Sequence, residues 1–67
     1  MIELVINGES RTFPAPLTLA RLVETLDLTG KRIAIEKNGE IVPRSRHAET
    51  PLASGDRLEI VVAVGGG

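Results

Sequence analysis

The sequence predicts a two-layer α+β domain in which one helix covers one face of a mixed, four- to five-stranded sheet. Three observations carry that prediction. The segments near the two ends alternate apolar and other residues with the period of two that a half-buried strand requires. One stretch between them repeats apolar residues at offsets of zero, three, four and seven, the stripe of a single amphipathic helix. Two of the alternating segments run into Asn-Gly, a pair that tolerates the positive φ of a tight hairpin turn.

The elements follow in order. Ile2, Leu4 and Ile6 fall on one face of a first strand, with Glu3, Val5 and Asn7 on the other. Asn7-Gly8 turns the chain, and residues 10–13 return as a second strand, with Phe13 as its core anchor and Arg11 on the same face near the sheet edge. Pro14 and Pro16 end that strand, because neither can donate to a ladder. Thr18 is a good helix N-cap, since its hydroxyl can accept from a free N–H of the first turn. Leu19, Leu22, Val23 and Leu26 form the helical stripe. The helix is expected to end between Asp27 and Gly30, with Gly30 in the left-handed cap position.

Residues 32–37 alternate again, Ile33 and Ile35 against Ala34 and Glu36. Asn38-Gly39 is a second hairpin signal, residues 40–42 make a short strand, and Pro43 stops it. Residues 44–50 are polar and aperiodic, which predicts a surface loop with room for one helical turn. Ser54-Gly55-Asp56 is a turn, and residues 57–64 form the last strand, with Leu58, Ile60 and Val62 facing the core. The first and last strands alternate most regularly and are expected side by side and parallel at the sheet centre, with hairpin and helix making the crossover. That is the β-grasp arrangement. The domain is expected over residues 1–64, followed by a flexible glycine tail over 65–67.

Composition removes several classes of function. At 67 residues the chain fits one small domain, which buries only roughly 60% of its unfolded surface. It has no cysteine, so a disulfide scaffold, a thiolate zinc site and a cysteine nucleophile are excluded within it. One histidine, His47, cannot make a multi-histidine metal site. Eight basic residues against nine acidic ones give no field that attracts nucleic acid or an anionic membrane. A single Phe supplies no base-stacking platform. No apolar run approaches a membrane span, and the N-terminus lacks the pattern of a signal peptide, so the expected location is cytoplasmic. So small a core argues against an autonomous enzyme, and the free chain is expected to be a monomer.

Few residues can carry chemistry. The carboxylates are scattered and read as solvated or turn residues, Asp56 bonding its own backbone. His47 reads as a surface histidine in a polar loop. Lys31, Arg32, Arg44 and Arg46 read as solubilising charge. No phosphate loop, nucleophile elbow or zinc-binding helix motif occurs. The glycines at 65, 66 and 67 stand apart, because they follow a regular strand without a linker. Glycine lacks Cβ, so such a segment can thread a narrow slot and take backbone angles closed to other residues. Residues 64–67 span at most about 14 Å, at ~3.5 Å per residue. On the sheet face away from the helix, Val5, Ala34, Val61 and Ala63 are expected to project as an apolar docking patch.

A β-grasp domain with a glycine tail resembles the ubiquitin-like proteins. The Asn7-Gly8-Glu9 turn, the hairpin from Ile33 to Pro43 running on into Arg44, Leu52-x-x-Gly55-Asp56 and Ala63-Val64-Gly65-Gly66-Gly67 are similar to the ThiS family, the sulfur carriers of thiamine biosynthesis. The resemblance covers the whole chain. The Gly-Asp turn and diglycine end are shared with MoaD, the small subunit of molybdopterin synthase. Ile41-Val42-Pro43-Arg44 and the Ala-Val-Gly ending are more particular to ThiS. Pro14 and Pro16 before the helix, and Ser54 where an acidic residue is common, depart from the usual pattern at turn positions.

The resemblance implies a chemistry for the tail. A terminal carboxylate is ionised at neutral pH and is a poor electrophile. The family implies its adenylation at Gly67 by a ThiF-like enzyme using ATP and Mg²⁺, with Gly65 and Gly66 threading the enzyme's slot. Sulfur from cysteine, delivered through a desulfurase persulfide, would convert Gly67 to a thiocarboxylate. A ThiG-like thiazole synthase would then take that sulfur. The chain itself would bind no cofactor and would be a protein co-substrate rather than an enzyme. A MoaD-like role and a ubiquitin-like protein modifier are the alternatives that share the same tail.

Overall fold

The structure is a computed structural model and describes residues 1–63. The expected domain end at 64 and the tail over 65–67 lie outside the described residues. Five strands and two helical segments run in the order β1 (Ile2–Ile6), β2 (Glu9–Phe13), α1 (Leu19–Thr25), β3 (Ile33–Lys37), β4 (Glu40–Ile41), a 3₁₀ segment η1 (Arg44–Glu49) and β5 (Arg57–Val62). The sheet order is β2-β1-β5-β3-β4. β1 and β5 lie side by side and parallel at the centre, and the other pairs are antiparallel. This is the β-grasp order that the alternation at the two ends predicts.

The two Asn-Gly pairs make the hairpins for the expected reason. Asn7 and Gly8 take φ of 50° and 84°, and Asn38 and Gly39 take 53° and 87°. Successive positive φ values match the twist of the flanking strands. The asparagines also do something the turn signal does not reveal. Asn7 Oδ1 accepts from the Ile60 N–H at 2.8 Å while its Nδ2 donates to the Ile60 carbonyl at 3.1 Å. Asn38 Oδ1 accepts from the Arg57 N–H at 2.9 Å, and its Nδ2 donates to Asp56 Oδ1 at 3.0 Å. Each turn thus grips the central strand through a side-chain amide.

α1 starts as expected: Thr18 Oγ1 accepts from the Arg21 N–H at 3.2 Å. Its end differs from the expectation. The left-handed residue after the helix is Asp27, at φ 61°, not Gly30. The Leu28 N–H returns to the Val23 carbonyl at 2.9 Å and the Asp27 N–H to Glu24 at 3.0 Å. These are the two bonds of a Schellman cap. Gly30, at φ 85°, serves a separate turn closed by Lys31 N–H to Leu28 C=O at 3.1 Å.

The core lies between α1 and one sheet face: Leu4, Ile6, Phe13, Ile35, Leu58 and Ile60 from the sheet, Leu19, Leu22 and Val23 from the helix. Leu17 and Leu52 complete it from the connections, joined by the Leu52 N–H to Leu17 C=O bond at 2.8 Å. Two expectations fail here. Residues 44–49, expected as a surface loop with room for one helical turn, form about two turns of 3₁₀ helix, and His47, expected at the surface, is buried, at 6% exposure. Its Nε2 lies 3.1 Å from the Val42 carbonyl, which can only accept, so Nε2 carries the hydrogen. Val62 has core-face parity but is 38% exposed, because it lies at the end of β5.

Candidate functional site

The sheet face away from α1 is covered by no element among the described residues. Pairing register assigns its residues. Val5 lies beside Arg57 across β1 and β5, and β3 pairs with β5 through Ala34 with Val61 and Glu36 with Glu59. Ile41 of β4 sits beside Glu36. Ala63 continues the ladder past β5, its N–H donating to the Arg32 carbonyl at 2.8 Å. Paired residues share a face, so Arg32, Ala34, Glu36, Ile41, Val5, Arg57, Glu59, Val61 and Ala63 all point away from the helix.

The structure brings three of the four expected docking residues together. Ala34, Val61 and Ala63 line one shallow groove of about 340 Å³, together with Arg32, Ile33 and Arg44. Val61 is 64% exposed. Val5 does not join them. It is half-buried and sits beside Arg57, four residues along β5 from Val61, or about 13 Å at ~3.3 Å per residue. Parity placed Val5 on the right face, but only register could say which end of it. Ile41, 69% exposed, is an apolar residue on this face that alternation alone did not single out, because its strand is only two residues long.

Arg44 is held at the groove by its Nη2, which donates to the Lys31 carbonyl at 2.7 Å. The sequence places Arg44 and Arg32 twelve positions apart, and only folding brings them to one groove. Lys31 and Arg46 are exposed and line no part of it. Gly67, expected as the adenylation residue, and Gly65 and Gly66, expected to thread the slot, lie outside the described residues. The groove sits at Ala63, where the chain passes into that segment. Among the described residues, no group of three or more His, Cys, Asp or Glu side chains could hold a metal ion, and no helix is long and apolar enough to cross a membrane.

A family model described as the ThiS family matches residues 4–67. The chain belongs to the ThiS family. It is 46% identical over 66 residues to a thiazole synthase of Paramagnetospirillum magneticum, a match covering 98% of this chain and 20% of that protein. The chain therefore spans about a fifth of the length of that relative. It is 38% identical over 50 residues to the sulfur carrier protein ThiS of Bacillus subtilis, covering 75% of this chain and 76% of that one. Among solved structures, the thiamine biosynthesis protein ThiS of Geobacter metallireducens superposes with a TM-score of 0.82 at 28% identity, covering 98% of this chain and 100% of the other. The fold is thus the ubiquitin-like β-grasp of ThiS proteins.

Proposed function

We propose that this ThiS-family chain is a cytoplasmic sulfur carrier for the thiazole of thiamine, a co-substrate of other enzymes rather than a catalyst. The observation that carries the reading is the family match, which runs through residue 67 and so includes the three glycines. The likeness to the sulfur carrier of Bacillus subtilis points the same way.

The chemistry assigns each part a role. A ThiF-like adenylating enzyme, supplying ATP and Mg²⁺, receives the segment 64–67. Gly65 and Gly66 pass its slot because they carry no Cβ. The Gly67 carboxylate attacks the α-phosphate and pyrophosphate leaves, which makes the acyl carbon electrophilic. The terminal sulfur of a persulfide that a cysteine desulfurase has charged from cysteine then displaces AMP to give an acyl disulfide, and a thiol cleaves its S–S bond, becoming oxidised to a disulfide and releasing the Gly67 thiocarboxylate for a ThiG-like thiazole synthase. Ala34, Val61 and Ala63 contribute the apolar contact that seats the domain while residues 64–67 extend. A surface with exposed apolar residues grouped at one groove marks an interaction site.

The test is the intact mass of the chain after incubation with the adenylating enzyme, ATP, Mg²⁺ and a sulfur source. The expected result is a gain equal to one sulfur in place of one oxygen, localised to Gly67. An unchanged mass with an enzyme that is active on another carrier would overturn the reading.

A further inference from the structure

The pairs Asn7-Gly8 and Asn38-Gly39, which shape the two hairpins, are also chemically labile. Asparagine is among the thermolabile residues. A following glycine adds to this, because a residue without Cβ leaves its backbone nitrogen unhindered and free in conformation. Both turns are exposed, and open space surrounds Gly8 and Gly39 where a side chain would stand. Crowding therefore protects neither pair. What protects each is the hold on its side-chain amide, since Cγ must swing onto the following nitrogen before a bond between them can form.

The two holds differ. The Asn7 amide binds both the N–H and the carbonyl of Ile60, on β5 at the sheet centre. The Asn7 N–H also donates to the Leu58 carbonyl at 2.9 Å, and its hairpin is paired at five positions. Freeing Asn7 means parting β1 from β5, and both strands carry core residues. Asn38 is held at the start of β5. Its Oδ1 accepts from the Arg57 N–H, but its Nδ2 donates to the side chain of Asp56 in an exposed turn. The β3–β4 hairpin is paired at only two positions, with one further bond from the Val42 N–H to the Ile35 carbonyl. β4 is an edge strand, both its residues are exposed, and it holds no buried member of the core. Short pairings of this kind open locally, at far less cost than global unfolding.

We infer that Asn38 is a deamidation site of the folded chain, whereas Asn7 reacts only when the domain unfolds. The Gly39 nitrogen gives up its proton to solvent and bonds to Asn38 Cγ. The Cγ–Nδ2 bond breaks, and ammonia leaves with a proton regained from solvent. Water then opens the five-membered imide at either carbonyl, giving aspartate or isoaspartate. The sum is amide plus water to carboxylate plus ammonium, with no oxidant and no cofactor. The aspartate product sets a carboxylate against Asp56, where an amide donor lay 3.0 Å from Oδ1. The modified turn therefore trades a hydrogen bond for like-charge repulsion and loosens its grip on β5.

The experiment incubates the full chain at mildly alkaline pH and maps both peptides by mass, reading the change from amide to carboxylate. In the folded chain Asn38 should convert at least tenfold faster than Asn7. Urea below the unfolding transition should raise the Asn7 rate steeply and the Asn38 rate little, because a local opening exposes little surface. In fully unfolding urea the two rates should converge. A folded-state rate at Asn38 no greater than that at Asn7 overturns the inference. So does an Asn38 rate that climbs with urea in step with Asn7, since both would then need global unfolding. No conversion at Asn38 in the time that the unfolded chain converts completely also overturns it. Asn38→Asp, which supplies the aspartate product directly, should stay folded with a lowered Tm, and an unchanged Tm would overturn the effect assigned to the modified turn.

Discussion

Asn7 shows how much one residue can hold. Its positive φ shapes the first hairpin, and its amide makes two hydrogen bonds to the backbone of Ile60, fifty-three positions away. Asn7→Ala removes both bonds and places a Cβ-bearing residue with no local hydrogen bond in the left-handed region. A net loss of about 2–4 kcal/mol is expected in urea denaturation. Asn7→Gly keeps the permissive backbone and loses only the bonds, so it should be milder by about 1 kcal/mol. Equal losses would show that φ strain contributes nothing. Asp56 offers a second residue-scale test. Partial burial pushes its carboxyl up, but the Ala53 N–H, the Asn38 amide and the charge of Lys37 together outweigh burial and hold it below the ordinary 3.8. A carboxyl lowered by folding adds stability that is complete above its unfolded value and is lost as pH falls through the folded one. The acid limb of a stability–pH curve should therefore steepen below pH 3.8. Asp56→Ala, compared at each pH, should flatten that limb.

At the scale of elements, the ends of α1 separate what sequence reveals from what it does not. The N-terminus was legible because a cap is a local event: Thr18 and the Arg21 N–H are three residues apart. The C-terminus was misread because glycine is the usual left-handed residue, and Gly30 was available. The helix instead stops at Thr25, where Leu26 and Leu28 turn to pack against the core, and Asp27 is forced left-handed between them. Asp27→Gly should then stabilise the domain by about 1 kcal/mol, since glycine takes that conformation without a Cβ penalty. Thermal unfolding would read it, and a lower Tm would contradict the assignment. The segment 44–49 was legible only as a surface loop with room for one helical turn, for a different reason. Its residues are polar and aperiodic, but folding lays it against α1, where His47 is buried and finds the Val42 carbonyl. No periodicity announces a residue buried through a single polar contact.

At the scale of the whole molecule, the strand order was legible because alternation is strongest where burial on one face is most complete, in β1 and β5. Which members of the outer face become neighbours was not, because that depends on register. A parallel pair tied at Val5–Arg57 and an antiparallel pair tied at Ala34–Val61 put Val5 and Val61 at different ends. The division of labour across the molecule yields the last prediction. Among the described residues the buried hydrophobic cluster runs from Leu4 to Ile60, and Gly67 has no side chain to add to it. Deleting Gly67 should leave the Tm and the hydrogen-exchange protection of β1 and β5 unchanged. It should nevertheless abolish sulfur loading, because the reacting carboxylate is withdrawn by up to ~3.5 Å. A misplacement of about 1 Å can already lower a rate roughly 10²-fold. Adding a residue after Gly67 should be as severe for a different reason, since it replaces the carboxylate at that position with an amide. Affinity for the adenylating enzyme should fall far less than loading in both variants, because the proposed contact through Ala34, Val61 and Ala63 is intact. Normal loading of the deletion variant, read as intact mass, would remove Gly67 from the chemistry even if the face still docks.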